Sequence, residues 1–267
     1  MIKTKDIKPR ETTEDPFKKN VACEHLLMHR QLEELRDLIR TSISKQSLAL
    51  ISGPPGVGKT TAIRSVTDEL PAHKYTVVYL GQDHNSANVL RRFALSLGMQ
   101  PKHHRPHLVM QISRWLMENH SSGGKQLILI VDEAHLLDDQ SLEEFRLMTN
   151  ADYDRQSPLT MIFVGQPLLR LRMRNSKYEA LAQRITYRYF LEGLDEDETT
   201  KYIRLRLLAA GAALDLFSED ALHQIFQLSQ GVPRKINTVC SLALLKAKSK
   251  KLQSVDAELI KELIDLD

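Results

Sequence analysis

Eight consecutive residues, "GPPGVGKT" at positions 53–60, satisfy the pattern G-x-x-x-x-G-K-[ST] at every fixed position. Gly53, Gly56 and Gly58 let backbone N–H groups turn inward onto phosphate oxygens, and Pro54, Pro55 and Val57 occupy the variable positions between them. Lys59 is spaced to reach the β- and γ-phosphates of a nucleotide, and the Thr60 hydroxyl to ligate Mg²⁺. Thr61 follows at the start of a helix whose N-terminal dipole favours anions. An apolar run, "ALIS", precedes the loop and a helical pattern follows it, which is the context a phosphate-binding loop requires.

A nucleotide held this way needs a carboxylate on a neighbouring strand, and "LILIVDEAH" supplies one. Asp132 closes an apolar run and would face the metal directly or through water. Glu133 can polarise an attacking water as a general base. The next apolar run, "LTMIFVG", ends at Gly165, and Gln166 after it could orient that water or sense the γ-phosphate, or could simply occupy a turn before Pro167. In "LAQRITYRYFLEGL", Arg184 stands just before an edge strand on the rim of the core, where it cannot easily reach its own nucleotide but could reach a neighbour's as an arginine finger. A surface salt bridge is the other use for it, and Arg188 is the alternate finger. In "QGVPRKIN", Gly231 stops one helix, Pro233 suits the first position of the next, and Arg234 lies in its first turn. A cation there opposes the helix dipole, which favours a role outside the helix, such as folding back onto the γ-phosphate.

The elements that must position these residues follow from periodicity. Strand patterns cover 47–52, 75–80, 127–132, 159–165 and 187–194, with helical stretches starting near Thr60, Ala87, His107, Ser141 and Tyr178. Near-continuous apolar strands alternating with helices predict a parallel sheet covered on both faces. From Asp195 the pattern changes to four helices with acidic or serine starts and glycine stops. The expected organisation is a polar, flexible N-terminal arm at 1–20, an α/β nucleotide-binding core at 21–194 and a small all-α lid domain at 195–267.

The 267 residues carry a formal charge of +3, with 42% hydrophobic and 27% charged residues, as in an ordinary soluble globular protein. Mild basicity permits nucleic-acid binding without arguing for it. Cys23 and Cys240 form neither a disulfide framework nor a zinc spacing. The charged N-terminus lacks the apolar stretch of a signal peptide, and "LILIV" is too short to span a bilayer, so no membrane and a cytoplasmic setting are expected.

Phosphate-binding loop, Asp-Glu strand, polar strand tip, rim arginine and G-x-P-R helix occur in the order of AAA+ ATPases. The "DEAH" tetrapeptide also occurs in helicases, but those need two cores and this pattern shows one. A plain phosphotransferase fits the loop but not the helical cap with Arg234. More narrowly, "VDEAH", "VGQPLL", "LAQRITYRYFLEGL" and "GVPRKIN" resemble the ExeA-like branch, which includes transposition helpers of the TnsC/TniB type, similar in role to the Mu B protein, and secretion ATPases. The resemblance implies ATP and Mg²⁺ as cofactors, with Lys59 and Thr60 as Walker A, Asp132 and Glu133 as Walker B, Gln166 as sensor 1, Arg184 as finger and Arg234 as sensor 2. Many AAA+ proteins carry Asn at sensor 1. It further implies homo-oligomers, as hexameric rings or helical filaments, that wrap double-stranded DNA without strong sequence preference. Such oligomers recruit a transposase and can answer to a target-selector protein. The expected function is therefore regulation of transposition, with a secretion ATPase or a replication initiator or helicase loader as alternatives. The chain shows neither a membrane nor a peptidoglycan-binding portion, which turns the expectation from envelope to DNA.

Phosphate contacts on DNA should come from polar, basic loops of the core, "GQDHNSANVLRR" and "MQPKHHRPH". Lys102, His103, His104 and Arg105 can all donate to phosphate, with Lys74 and Lys125 flanking strands nearby; solvated loops would read the same way. A metal site at His103, His104 and His107 is the weaker alternative, because Pro106 interrupts it and no carboxylate or Cys is near. The basic cluster "KAKSKK" fits the negative end of its helix, and Trp115 and Leu116 fit a buried helix face. Lys3, Lys5, Lys8 and Arg10 could meet a partner or a neighbouring subunit.

Overall fold

The structure, a computed structural model, describes residues 15–18, 26–81, 86–149 and 157–264. Most of the arm, including Lys3, Lys5, Lys8 and Arg10, lies outside the described residues, as do Cys23 and the stretch 82–85. Among the described residues two compact units are separated, residues 30–191 and the helical residues after them joined by Asp15–Lys18 and 26–29.

The first unit contains strands β1 (Leu48–Ser52), β2 (Tyr75–Leu80), β3 (Gln126–Val131), β4 (Leu159–Gly165) and β5 (Ile185–Phe190). All pair in parallel, in the order β2-β3-β4-β1-β5. The expected parallel sheet is what the chain forms, and burial explains its legibility. β1 and β4 are buried at every residue, so they read as unbroken apolar runs, whereas β2 alternates because it is an edge strand with Val77 and Tyr79 exposed. β5 starts two residues earlier than its sequence pattern suggests. Its last rung is the Leu191 N–H bond to Ser52, because beyond Ser52 the partner strand leaves the sheet.

Helices α1 (Arg30–Ser44), α2 (Lys59–Thr67), α3 (Ser86–Ser96), α4 (Arg105–Ser121), α5 (Asp139–Met148), α6 (Pro167–Arg172) and α7 (Glu179–Arg184) flank the sheet. Strand residues of one parity, including Leu50, Leu129 and Phe163, join Phe93, Ile112, Leu116 and Phe145 in one core. Trp115 packs against that core, as its helix-face pattern predicts. The opposite parity, including Ile51, Ile130 and Val164, is equally buried, and α1 packs on β1 and on α2.

The second unit holds α8 (Glu196–Ala209), α9 (Glu219–Ser229), α10 (Pro233–Ser249) and α11 (Ala257–Ile264), the four expected helices. A capping box between Asp195 and Glu198 starts α8. Gly231 is at φ +67, and a Cβ there would lie 1.8 Å from the Leu194 carbonyl oxygen, so the turn before α10 admits only glycine. The basic cluster at the end of α10 is partly paired: Lys250 and Lys246 both bond Glu262, and Lys250 first and Lys246 second hold its carboxyl down at about 2.

Asp15–Lys18, assigned to the arm on sequence, are packed against these helices. Phe17 is 3% exposed and sits edge-on to Phe217, with ring centroids 6.1 Å apart. The buried Arg206 donates to the Pro16 carbonyl at 2.9 and 2.7 Å and to the Lys18 carbonyl at 2.7 Å. Ser241 donates to Asp15 at 2.7 Å. Polar flanks hid this single aromatic anchor from a composition argument. None of the described helices is long and apolar enough to cross a membrane. Phe17→Ala should cost about 3–5 kcal/mol of stability, read as a lower urea midpoint of the full chain; an unchanged midpoint would show that the segment is not docked in solution.

Candidate functional site

Because every strand runs the same way, the C-terminal ends of β1, β3 and β4 share one edge of the sheet, and the loops after them converge there. The loop after β1 is the glycine pattern. Gly53 donates its N–H to the Gly165 carbonyl at the end of β4 (3.3 Å), and a Cβ on it would meet the Leu191 carbonyl oxygen at 2.2 Å. Gly56 and Gly58 are at φ +84 and +105, in the left-handed region. Gly58 caps α2, whose first N–H groups lack intrahelical partners and open toward the loop. Val57 is buried and anchors the loop, while Pro55 and Thr61 are exposed. Lys59 is 8% exposed, with its ammonium donating to the Gly53 and Pro54 carbonyls at 2.8 and 2.9 Å.

Asp132, at the end of β3, is met from three sides. Its Oδ1 accepts the Glu133 N–H at 2.8 Å, and its Oδ2 accepts the Thr60 hydroxyl at 3.0 Å and the Tyr79 phenol. Burial first, and the Asp132 carboxylate second, push the Tyr79 pKa up, so the phenol stays an O–H donor. Thr60 and Asp132 offer a hydroxyl and a carboxylate oxygen, the hard donors Mg²⁺ takes. Among the described residues no cluster of three metal-ligating side chains exists. That sparse set suits Mg²⁺, which completes its shell with phosphate oxygens and water rather than with a protein cage.

Glu133 follows at φ +50, an uncommon conformation for a residue with a side chain. Its Oε2 is buried without a hydrogen-bond partner and lies 3.3 Å from His135 Nδ1. The same Nδ1 is 3.5 Å from the Gln166 N–H, so one imidazole stands between the Glu133 carboxylate and the tip of β4. The His135 carbonyl accepts from Arg172 at 2.9 Å. Gln166 caps α6 through its backbone, with no side-chain cap bond.

Arg184 is the last residue of α7, and Ile185 after it pairs with Leu48 at the start of β1. The phosphate loop leaves the other end of that strand, so five residues of parallel strand, about 17 Å, separate the two. Arg184 donates to Thr149 at 3.4 Å, and its charge helps hold the Glu143 carboxyl below the usual range, after Arg146. Arg188 is exposed on β5 and lines an open hollow with Arg174, Glu179 and Gln183. Arg234 is exposed in the first turn of α10, in the helical unit.

Lys102, His103 and His104 are exposed, with His104 edge-on to His107 at 5.8 Å. Arg105 is used differently from the expectation of a phosphate donor. It forks onto Glu144 at 2.8, 3.0 and 2.8 Å and onto Ser141 at 2.8 Å, tying the start of α4 to α5. Tyr79, His135 and Arg172 escaped the sequence reading: Tyr79 is absorbed into an apolar strand pattern, and Arg172 has no spacing signal at all. His135 stood in plain view in the tetrapeptide after the metal-and-water pair, where nothing local told of Gln166 across the gap.

A parallel sheet with a glycine loop after its fourth strand in spatial order, and an Asp-Glu pair two strands away, defines a P-loop nucleoside-triphosphatase. Residues 39–173, half of the chain, match the AAA domain family, and the chain belongs to that family of AAA+ ATPases. General secretion pathway protein A of Aeromonas hydrophila is 33% identical over 199 residues, which are 74% of this chain and 36% of that protein. The chain therefore spans little more than a third of that relative's length. Among solved structures, the ORC2 protein of Aeropyrum pernix, in ADPNP-ADP complexes, shares the fold with a TM-score of 0.67 at 15% identity, over 94% of this chain and 71% of that one. The ORC1 protein of Aeropyrum pernix, in complex with DNA, gives 0.67 at 16% identity, over 90% and 65%. Nucleotide hydrolysis is the activity that the family implies.

Gly58→Ala should be diagnostic for the loop, because nothing lies within 4 Å of the added Cβ and only the backbone at φ +105 resists it. The expected result is a loss of about tenfold in affinity for a fluorescent ATP analogue, equivalent to about 1.4 kcal/mol of strain. Lys59→Ala should abolish that binding altogether, and retention of it would remove the loop from the site.

Proposed function

We propose that the protein is an ATP-timed assembly switch that forms rings or filaments of identical subunits on double-stranded DNA and acts as a regulator of transposition. In this reading it selects target DNA and recruits or activates a transposase, in the cytoplasm, and hydrolysis drives disassembly. The observation that supports assembly best is the distance of Arg184 from its own phosphate loop. In this reading a cation just before the start of β5, out of reach of its own phosphate loop, serves a nucleotide bound to another copy, and the complete site is intersubunit.

Within each subunit the loop at 53–61 cradles the ATP phosphates through backbone N–H groups, and Lys59 neutralises the β- and γ-oxygens. Thr60 and Asp132 would hold Mg²⁺, whose charge, when bound, offsets that developing on the phosphates. Glu133 takes the proton of the attacking water, and Gln166 orients that water at the strand tip. Arg234 reports the γ-phosphate to the helical lid, taken from residue 195 onward, and Arg184 completes a neighbour's site.

DNA as the substrate draws support from the ORC1 likeness, since that protein is in complex with DNA, and from exposed Lys102, His103 and His104. Arg105 contributes by holding that loop to α5. A second reading, an ATPase of a secretion pathway, is favoured by the identity to General secretion pathway protein A. A replication-initiator role is favoured by the ORC fold likeness. Mobility shifts with ATP, ADP or no nucleotide separate the first reading from the second, and absence of ATP-stimulated duplex binding at every salt concentration would exclude DNA.

Glu133→Gln should bind ATP with near-normal affinity, lower kcat by a factor of at least about 10², and leave long-lived assemblies; normal turnover would refute the base. Arg184→Ala should keep ATP affinity in the monomer and lose the rise in specific activity with protein concentration. Hydrolysis at full rate regardless of concentration in the wild type would remove the trans arginine.

A further inference from the structure

Arg172 ends α6, six residues after the tip of β4, and its guanidinium reaches the stretch 135–139, more than 30 residues back in sequence, and Tyr178, six residues on. Nη1 donates to the His135 and Leu137 carbonyls, both at 2.9 Å, in the turn that directly follows Glu133. Nη2 donates to Asp139 at 2.9 Å, the first residue of α5, and to the Tyr178 hydroxyl at 3.1 Å. The guanidinium also lies over the Tyr178 ring, 5.1 Å from its centroid. Tyr178 and Lys177 both bond Asp139 in turn. The Lys177 ammonium and the Tyr178 hydroxyl hold the Asp139 carboxyl down at about 2, so it is ionised at neutral pH and a permanent acceptor for Arg172.

Two struts run from this knot to Arg184. One is α7, which begins at Glu179 directly after Tyr178 and ends on Arg184, about 9 Å of helix. The other is α5, about 15 Å long, which begins at Asp139 and delivers Thr149 to the Arg184 guanidinium. A planar fork with fixed donors is suited to such a knot, because four acceptors in set directions specify one arrangement of their segments.

We propose that Arg172 is a positioning residue that couples the turn after Glu133 to Arg184, so that the hydrolytic centre of one subunit and its arginine for the next are placed together. The proposal rests on the reading of Arg184 as acting in trans. The groups Arg172 holds are backbone carbonyls and side chains of the core, so its role is positional. Its loss leaves each end intact and lets them move independently.

The test is a double-mutant cycle on the full chain. ATP hydrolysis is followed against protein concentration, and affinity for a fluorescent ATP analogue is measured, in wild type, Arg172→Ala, Arg184→Ala and the double variant. Arg172→Ala should keep the analogue Kd and the KM within about twofold while kcat of the assembled protein falls at least about tenfold. In the Arg184→Ala background the same change should lower kcat by less than about twofold, because the coupled group is already gone. Arg172→Lys keeps the charge without the fork and should show the same non-additivity at a smaller loss, which serves where the alanine variant does not fold. A fall in analogue affinity matching the fall in kcat, or losses that multiply in the double variant, overturns the coupling. Full concentration-dependent stimulation in Arg184→Ala alone overturns the trans reading beneath it, an outcome visible before Arg172 is changed.

Discussion

Parallel pairing of β1 between β4 and β5 is the constraint on which the rest depends. It places all strand C-termini on one edge, so the glycine loop, Asp132 and the tip of β4 at Gln166 meet there although more than 100 residues separate Gly53 from Gln166. It also forces the start of β5, and Arg184 with it, to the opposite edge. One sheet polarity thus both gathers the loop, Asp132 and Gln166 at one edge and keeps Arg184 at the other. Burial makes that polarity robust: the central strands bury both faces, and a one-residue slip would exchange every side chain between cores.

Much of this was readable because it is local. Glycines at positive φ, an apolar strand before them and a helix after them are consecutive, and Gly56, Gly58 and Lys59 lie where spacing places them. Asp132 was readable for the same reason, as the charged residue that ends a buried apolar strand. Contacts that depend on two distant segments were not. Tyr79 meets Asp132 only because β2 is the neighbour of β3, and strand order is not written in either strand. Arg105 reads as a solvent-facing cation in its basic loop, but Glu144 on the neighbouring helix α5 holds it. Phe17 was lost in a charged stretch because one buried ring does not alter a composition.

The hydrogen bonds at the catalytic edge also divide into satisfied and unsatisfied groups. Asp132 accepts three donors and is fixed; Glu133, its neighbour, has a buried oxygen facing an imidazole that already leans on the Gln166 backbone. A left-handed backbone at Glu133 is consistent with a conformation held by its surroundings rather than by its own preference. The two adjacent acids thus sit in different surroundings, Asp132 accepting three donors and Glu133 facing the imidazole of His135.

Whether a knot at Arg172 moves anything at Arg184 turns on the stiffness of what lies between. α5 is only ten residues long, but it is pinned along its length. Asp138 caps its first turn at 2.7 Å from the Ser141 N–H, and Arg105 grips Glu144 near its middle. On its inner face Phe145 is fully buried between Phe93 and Phe163, at centroid distances of 6.4 and 6.1 Å. Close-packed interiors do not absorb a displacement within one helix; they pass it on to the neighbours. A shift at Asp139 is therefore delivered to Thr149 as a shift of the whole helix, and α7, fastened to the same Tyr178 that Arg172 covers, has to follow. The rim arginine is placed by the same packing that places the catalytic turn, and neither can be repositioned by local backbone adjustment alone.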